Sequence, residues 1–453
     1  MQPTDGTPKQ SADDLYLQNH QILLEAMHSD ANVYGSELRQ ITLVLERFLV
    51  DRRENVTVAF AGECGIEALL REVSETWSEY SQVWHNNHLM GLVGNMGPTI
   101  GSSIGLEVAL GPGGQIICKA GPSTRIEDIL KAIDAFDRQL HAVSYDMGCD
   151  YALLSEGYNP MTRSPLDVSL VPRTRWTLLN AHLGKTGRYA RDAMRCTCAT
   201  RVAVGPSPRS NTDHEYRVAT ALSPLLTFLT DNVRSFRDTD TRHTQRMTRS
   251  LIWDEVDATR CGVVPHIFDE GPVEEHIAQW LEDIQPMFLE DANGTIRPTA
   301  KSTLRTIMHE RAIDAGEAQN ALDTAFPNVA LHKGSLELTQ ADSLRPTMAA
   351  GYAAFIKGIF ASDFSVGAVE AALGMVDEQD VIDAGQLLRK EGWNATVYNQ
   401  SIGTLVDQLL QIVRTQLDPQ EQRLLNNIAE QWEVHMVPRD AFVHQAIKAT
   451  RGW

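Results

Sequence analysis

The sequence predicts an α+β fold built on a mainly antiparallel sheet, and three observations point there. Strand-like segments gather in the middle of the 453-residue chain, and helical patterns gather at both ends. Two of the strand-like segments are joined by a glycine-rich hairpin, Gly111-Pro112-Gly113-Gly114. Strands that alternate one by one with helices would instead mark a parallel, doubly wound sheet, and the order here does not read that way.

The elements follow in order. Residues 1–12 are polar, with Pro3, Gly6 and Pro8, and read as a disordered lead-in. Residues 13–54 read as an N-terminal helical segment on the spacing of Leu15, Ile22 and Leu23, then Leu38, Ile41, Leu45 and Phe48. Thr57–Phe60 is an expected strand and Ile66–Tyr80 an expected helix. Leu106–Leu110 and Gln115–Lys119 flank the glycine hairpin as strands. Thr124 and Glu127 stand in capping-box spacing before the apolar stripe Ile126, Ile129, Ile133, Phe136, Leu140 and Val143, which Gly148 should end. Tyr151–Leu154 and Arg195–Val204 complete the expected strands, so residues 55–361 form the central domain. Residues 362–453 read as a C-terminal helical region, within which Asp418, Pro419 and Glu421 supply cap, first-turn proline and N3 carboxylate.

Composition bounds the function. Hydrophobic residues make up 43% and charged residues 22%, the balance of a folded soluble chain. The 40 Lys and Arg against 59 Asp and Glu leave a formal charge of −19, which repels phosphate backbones and anionic membranes alike. Nucleic acid and membrane are therefore not expected partners. No apolar run reaches the roughly 18 residues of a membrane span. The opening MQPTDGTPKQSADD has neither the basic nor the apolar part of a signal peptide. Six cysteines in so long a chain do not make a disulfide framework, so a cytoplasmic location is the expectation.

Several motifs suggest chemistry and fall short of it. Gly184-Lys185-Thr186 resembles the end of a phosphate-binding loop, but Leu179 stands where the first glycine is needed to open the backbone amides. Cys196 and Cys198 would share one strand face without the second ligand pair that zinc requires, and read as buried small residues. His85 and His88, three apart, read as a surface pair at a helix end. The segment Thr248–Asp269, TRSLIWDEVDATRCGVVPHIFD, is more informative. Its Arg249, Trp253 and Arg260 combine guanidinium forks with an aromatic face, which suits a ligand bearing carboxylates or phosphates. By composition alone the same residues also fit a surface ion-pair cluster.

That segment resembles the hallmark of the plant-type glutamate–cysteine ligases, R-S-x-I-W-x-x-x-D-x-x-R-x-G-x-x-P-x-x-F-D. Further resemblances follow in family order. These are Gly113-Gly114-Gln115 with Gly121-Pro122, Tyr158-Asn159-Pro160, Lys185 through Thr197 and Cys198, and Phe326-Pro327 with Leu336-Glu337 and Ala341-Asp342. The resemblance implies a sheet curved into a funnel in the carboxylate–amine ligase manner. It implies ATP and Mg²⁺ as cofactors, and glutamate plus cysteine or another amine as substrates. The implied reaction activates the glutamate γ-carboxylate as an acyl phosphate, which the amine attacks. Carried over residue by residue, it places Arg249, Trp253, Arg260, Thr197 and Arg201 around substrate, and Glu63 and Glu337 as candidate metal ligands. It assigns no catalytic residue.

The sequence departs from the family where metals are held. Gly65, Gly111 and Ile117 stand at family carboxylate positions, Arg201 opens the segment where the family has Q-V-N-x-D, and Thr339 replaces an arginine. Mg²⁺ demands oxygen ligands, which Gly and Ile cannot offer. Three readings follow: a working ATP-dependent ligase, a degenerate member serving as a binding, regulatory or partner subunit of a paralogue, or an enzyme in which Arg201 replaces a metal.

Overall fold

The architecture is set by one long strand that is buried on both faces. In the computed structural model, which describes residues 11–28, 38–96, 101, 104–208, 211–241, 244–299 and 301–436, the segment ITLVLERFLVD forms strand β1 (Ile41–Asp51). This corrects the helical reading of residues 38–53, since helix α1 covers only Ala12–Met27. A short apolar run carries no decisive periodicity, and here the β-branched and aromatic content favoured the strand.

Around β1 lie β2 (Val56–Thr57), β3 (Tyr80–His85), β4 (His88–Asn95), β5 (Gly105–Leu110), β6 (Ile116–Ser123), β7 (Tyr151–Leu154), β8 (Ala199–Val204), β9 (Val329–His332) and β10 (Ser335–Asp342). They form one ten-stranded sheet in the order β9-β10-β8-β1-β6-β5-β4-β3, with β2 and β7 also paired to β1. Every pairing in it is antiparallel. The expected α+β class with a mainly antiparallel sheet and flanking helices is therefore what the chain adopts.

Local differences from the sequence reading have local causes. The strand expected over Thr57–Phe60 is only Val56–Thr57, and Arg195–Val204 splits into a helix ending at Cys196 and β8 beginning at Ala199. Cys196 and Cys198 therefore do not share a strand face, although both are buried. His85 and His88 close the β3–β4 hairpin instead of a helix, because Asn86 and Asn87 accept positive φ in the two-residue turn. Helix α2 (Ile66–Thr76) stops four residues short of Tyr80. Helix α3 (Ile126–Asp146) starts after Arg125 with no side-chain cap, so the expected Thr124–Glu127 capping box does not form. Gly148, at φ 75°, ends that helix as expected. Asp418 Oδ1 accepts from the N–H groups of Gln420 and Glu421, at 2.8 and 2.9 Å, and starts the helix Pro419–Met436.

The sheet has two unlike faces. Side chains alternate along β1, so Ile41, Leu43, Leu45 and Leu49 enter one core with Ile129, Ile133, Phe136 and Leu140 of α3. The apolar helix Pro346–Ile359 packs on the same face beside α3. Arg47 points into this packed face, 1% exposed, and forms a bidentate pair with Asp137 of α3, one contact being 2.7 Å. The other face carries Glu46 and bears shorter helices: α4 (Thr174–Thr186), α5 (Ala190–Cys196) and, after the buried helix α6 (Thr212–Leu229), α7 (Thr248–Asp254). The Gly184-Lys185-Thr186 motif is the last turn of α4. The hairpin of β5 and β6 approaches α5 so closely that a Cβ on Gly113 would lie 2.3 Å from the Arg195 carbonyl oxygen.

The Arg47–Asp137 pair ties the central strand to the helix that covers it. Asp137→Ala leaves the buried guanidinium without its counter-charge and should destabilise the fold by about 3 kcal/mol or more. Urea denaturation measures this, and a loss under about 1 kcal/mol would show that water reaches Arg47 freely.

Candidate ligand cavity on the open face of the sheet

Four adjacent strands send one side chain each toward a common floor. Glu46 of β1 stands opposite Ile117 of β6, while Arg201 of β8 and Glu337 of β10 come from the other side of β1. The Arg201 guanidinium lies between the two carboxylates. Its Nε is 3.2 Å from Glu46 Oε1, and its Nη1 donates to Glu337 Oε1 at 2.8 Å. Glu46 Oε2 accepts the Ala199 N–H at 3.0 Å. Burial pushes the Glu337 carboxyl up, but the Arg201 charge, helped by His332 and Lys119, outweighs it and holds the group below the usual carboxylate range. Burial lowers Arg201, and the two glutamates more than reverse that, so the guanidinium stays charged.

Above this floor is a cavity of about 420 Å³. One wall is α4 with Arg175, Trp176, Leu179 and Leu183, and another is α7 with Arg249, Ser250, Trp253 and Asp254. Thr197, which follows α5, and Phe326 complete the enclosure. Trp253 packs edge-on against Phe326 with ring centroids 5.1 Å apart, and Arg173 and Arg175 lie 5.4 and 5.9 Å from the Trp176 ring. The indole N–H groups of Trp176 and Trp253 are buried with no acceptor among the described residues. Orphan donors on the wall of a cavity of this size fit a small molecule rich in acceptor oxygens.

The donor set does not fit Mg²⁺. Among the described residues there is no group of three or more His, Cys, Asp or Glu side chains placed to hold a metal ion. The two carboxylates on the floor are already paired to Arg201, and Ile117 fills the neighbouring place beside Glu46. The other cavity carboxylates are engaged as well, Asp323 with Arg175 and Asp254 with Arg389.

The model of glutamate–cysteine ligase family 2 matches residues 45–401, which include Glu46, Ile117, Arg201 and Glu337 of this floor. The chain belongs to that family. It is 26% identical over 310 residues to the chloroplastic glutamate–cysteine ligase of Arabidopsis thaliana, covering 67% of this chain and 56% of that one. It is 27% identical over 284 residues to the Brassica juncea enzyme, covering 61% and 52%. The chain thus spans about half the length of the curated relatives it matches. A solved structure of the prokaryotic ubiquitin-like protein Pup with its ligase PafA is similar at TM-score 0.41 and 9% identity, over 88% of this chain and 65% of that one.

Of the residues that the family resemblance singled out, the cavity gathers Arg249, Trp253, Thr197, Arg201 and Glu337. Arg260 is not among them. Its guanidinium is buried away from the cavity and donates to Asp257 at 2.8 Å and to the carbonyls of Thr324 and Gln285 at 3.3 and 2.8 Å. It acts as a latch behind the Cys261–Phe326 bridge that forms the rim. Glu63 also lies elsewhere, exposed in the turn before α2, and Gly65 is the N-cap of that helix, where a Cβ would strike the Phe60 and Ala61 carbonyls at 2.6 Å. Sequence reasoning missed Glu46. Its signal was a single carboxylate, beside Arg47, inside the mostly apolar run ITLVLERFLV.

Arg249 is half spent on structure. Its Nη1 and Nη2 donate to the Gln340 and Thr339 carbonyls at 3.0 and 2.9 Å, so the threonine at 339 meets Arg249 through its backbone. Beneath it, burial and then the nearby Asp231 raise Asp342 to about 7, against the pull of Arg249. Unfolded aspartate titrates near ~4, so the folded chain holds an extra proton between those values, and ionising it costs stability as pH rises through that window. Asp342→Asn should therefore gain stability relative to the parent as pH rises from about 5 to about 8. Denaturation midpoints at several pH values test this, and an offset that does not change with pH would rule it out.

Proposed function

We propose that this family member binds a small amino-acid-like carboxylate in the cavity and does not carry out Mg²⁺-dependent ligation. The observation that carries the proposal is the Arg201 guanidinium seated between Glu46 and Glu337. At an effective dielectric of about 20, a unit charge 4 Å from a divalent ion is repelled by roughly 8 kcal/mol before screening. The carboxylates that would offset such repulsion are two, and Arg201 already neutralises half their charge. In this reading Arg201 is a fixed cation where a metal would otherwise sit, Thr197 and Trp253 contact ligand, and Arg249 braces the wall. The chain then serves as a binding or regulatory subunit, with a protein partner or paralogue as its client. A cytoplasmic setting belongs to the same proposal and rests on six unpaired thiols.

A second reading keeps the family reaction, in which ATP activates the glutamate γ-carboxylate as an acyl phosphate for attack by the amine of cysteine or another acceptor. Family membership and the retained Arg249–Trp253 segment on the cavity wall favour it.

Phosphate release separates the two. With glutamate, cysteine, ATP and Mg²⁺ the chain should stay at background, while calorimetry in EDTA should register binding of L-glutamate. Turnover that depends on Glu46 and Glu337 would establish the second reading.

Removing the internal cation tests its role directly. Arg201→Asn leaves Glu46 and Glu337 facing each other and should create a Mn²⁺ site, visible by electron paramagnetic resonance, that the parent lacks. Stoichiometric Mn²⁺ binding by the parent in this cavity would overturn the proposal.

A further inference from the structure

The packed face of the sheet has a cavity of its own, about 470 Å³, and nothing in the proposed function uses it. Its floor is Arg47, Leu49, Tyr151 and Leu153, and its far side is α3 with Asp137, Leu140 and His141. Arg52, Arg234 and Arg345 stand at its exposed rim. Arg52 pairs with Asp150 at 3.1 Å, and Arg234 reaches Glu156 only at 3.9 Å. Arg345 is held by no side-chain hydrogen bond or ion pair among the described residues. In a chain of formal charge −19, four arginines against Asp137 and Glu156 make a local reversal of sign.

Two buried polar atoms in this cavity lack partners. Arg47, 1% exposed, has an orphan Nε, and Glu156, 7% exposed, has an orphan Oε2. Each forfeits a hydrogen bond, and an unsatisfied buried group of that kind costs about 1–3 kcal/mol. The first atom needs an acceptor and the second a donor. The helix Pro346–Ile359 also begins at this cavity, with Arg345 as its N-cap residue and no side-chain cap. Pro346 carries no N–H, so the donors left at this helix start are the N–H groups of Thr347 and Met348, which with the helix dipole favour an anion there.

We propose that this second cavity is a binding site for a small molecule with an oxyanion of at least two negative charges at one end and an N–H or O–H donor at the other. The oxyanion lies between Arg345, Arg234 and the N-terminus of the helix Pro346–Ile359, and the donor end reaches Glu156. Phosphate and paired carboxylates satisfy the anionic end equally, because each accepts the two-pronged guanidinium hydrogen bond. A cavity of this volume lies in the range of ordinary small-molecule sites. The site is on the opposite face of β1 from Glu46, so its occupancy is independent of whether the first cavity turns over any substrate.

Calorimetric titration of the full chain in EDTA tests the proposal with two probes. ADP presents phosphates and an amine, and L-glutamyl-L-glutamate presents carboxylates and an ammonium group. At least one should bind with Kd below about 1 mM, and the arm that responds identifies the source of the anion. The double variant Arg234→Gln/Arg345→Gln should weaken that binding at least about tenfold, the effect of losing a charge-assisted contact. Both rim arginines are exposed, so an unchanged thermal midpoint will show that the variant still folds. Trp253→Ala, in the first cavity, should leave this affinity unchanged. Failure of both probes to bind at 10 mM-scale concentrations (about ten times the limit above) would overturn the proposal. So would binding that survives the double variant, or binding lost only in Trp253→Ala.

Discussion

The structure depends on the alternation of side chains along β1. One step of the backbone separates Glu46, which enters the open cavity, from Arg47, which is sealed under α3. A shift of one residue in the register would exchange them, placing a glutamate in the apolar core and an arginine beside Arg201. Register is held from three sides. β6 and β8 flank the strand in antiparallel pairing, β7 pairs with its second half, and the Arg47–Asp137 fork fixes it to the helix above. Ile41, Leu43, Leu45 and Leu49 reinforce the same choice by burial. Both cavities are consequences of that single alternation, which is why their chemistries differ so sharply.

On the open face, the departures from the family are physically linked. Glu46 on β1 and Glu337 on β10 face each other across β8 and repel unless a cation sits between them. Where a metal does not serve, a guanidinium of fixed charge can, and Arg201 extends from the strand that separates β1 and β10. Once it is there, a further carboxylate at position 117 would have no counter-charge of its own, and an isoleucine packs beside Glu46 at no electrostatic cost. Arginine at 201 and isoleucine at 117 thus form one self-consistent arrangement.

Much of this was legible in the sequence, though unevenly. The glycine hairpin, the α3 stripe and the helix begun by Asp418 are local patterns, and each announced its element. β1 was not legible as a strand, because its apolar residues are buried on both faces and lose the two-residue rhythm. That error hid Glu46, and the sequence reading named the exposed Glu63 instead. The hallmark segment drew attention to Arg249 and Trp253, which both line the cavity, but sequence cannot distinguish a guanidinium aimed at ligand from one spent on backbone carbonyls. Arg260 is wholly of the second kind, and Arg249 partly so.

Charge accounting on the open face then narrows what the cavity can hold. Arg175 is matched by Asp323 and Asp254 by Arg389, so those ions offer little net field, and Arg249 is spent on the Gln340 and Thr339 carbonyls. Glu46, Glu337 and Arg201 together leave one excess negative charge on the floor. A polyphosphate would meet that excess without a cation to offset it. An amino acid fares better, since its ammonium group can face the glutamates while its carboxylate accepts from the indole N–H groups of Trp176 and Trp253. In the proposed reading the walls suit a zwitterion of small net charge, and that preference follows from the floor being built around an arginine.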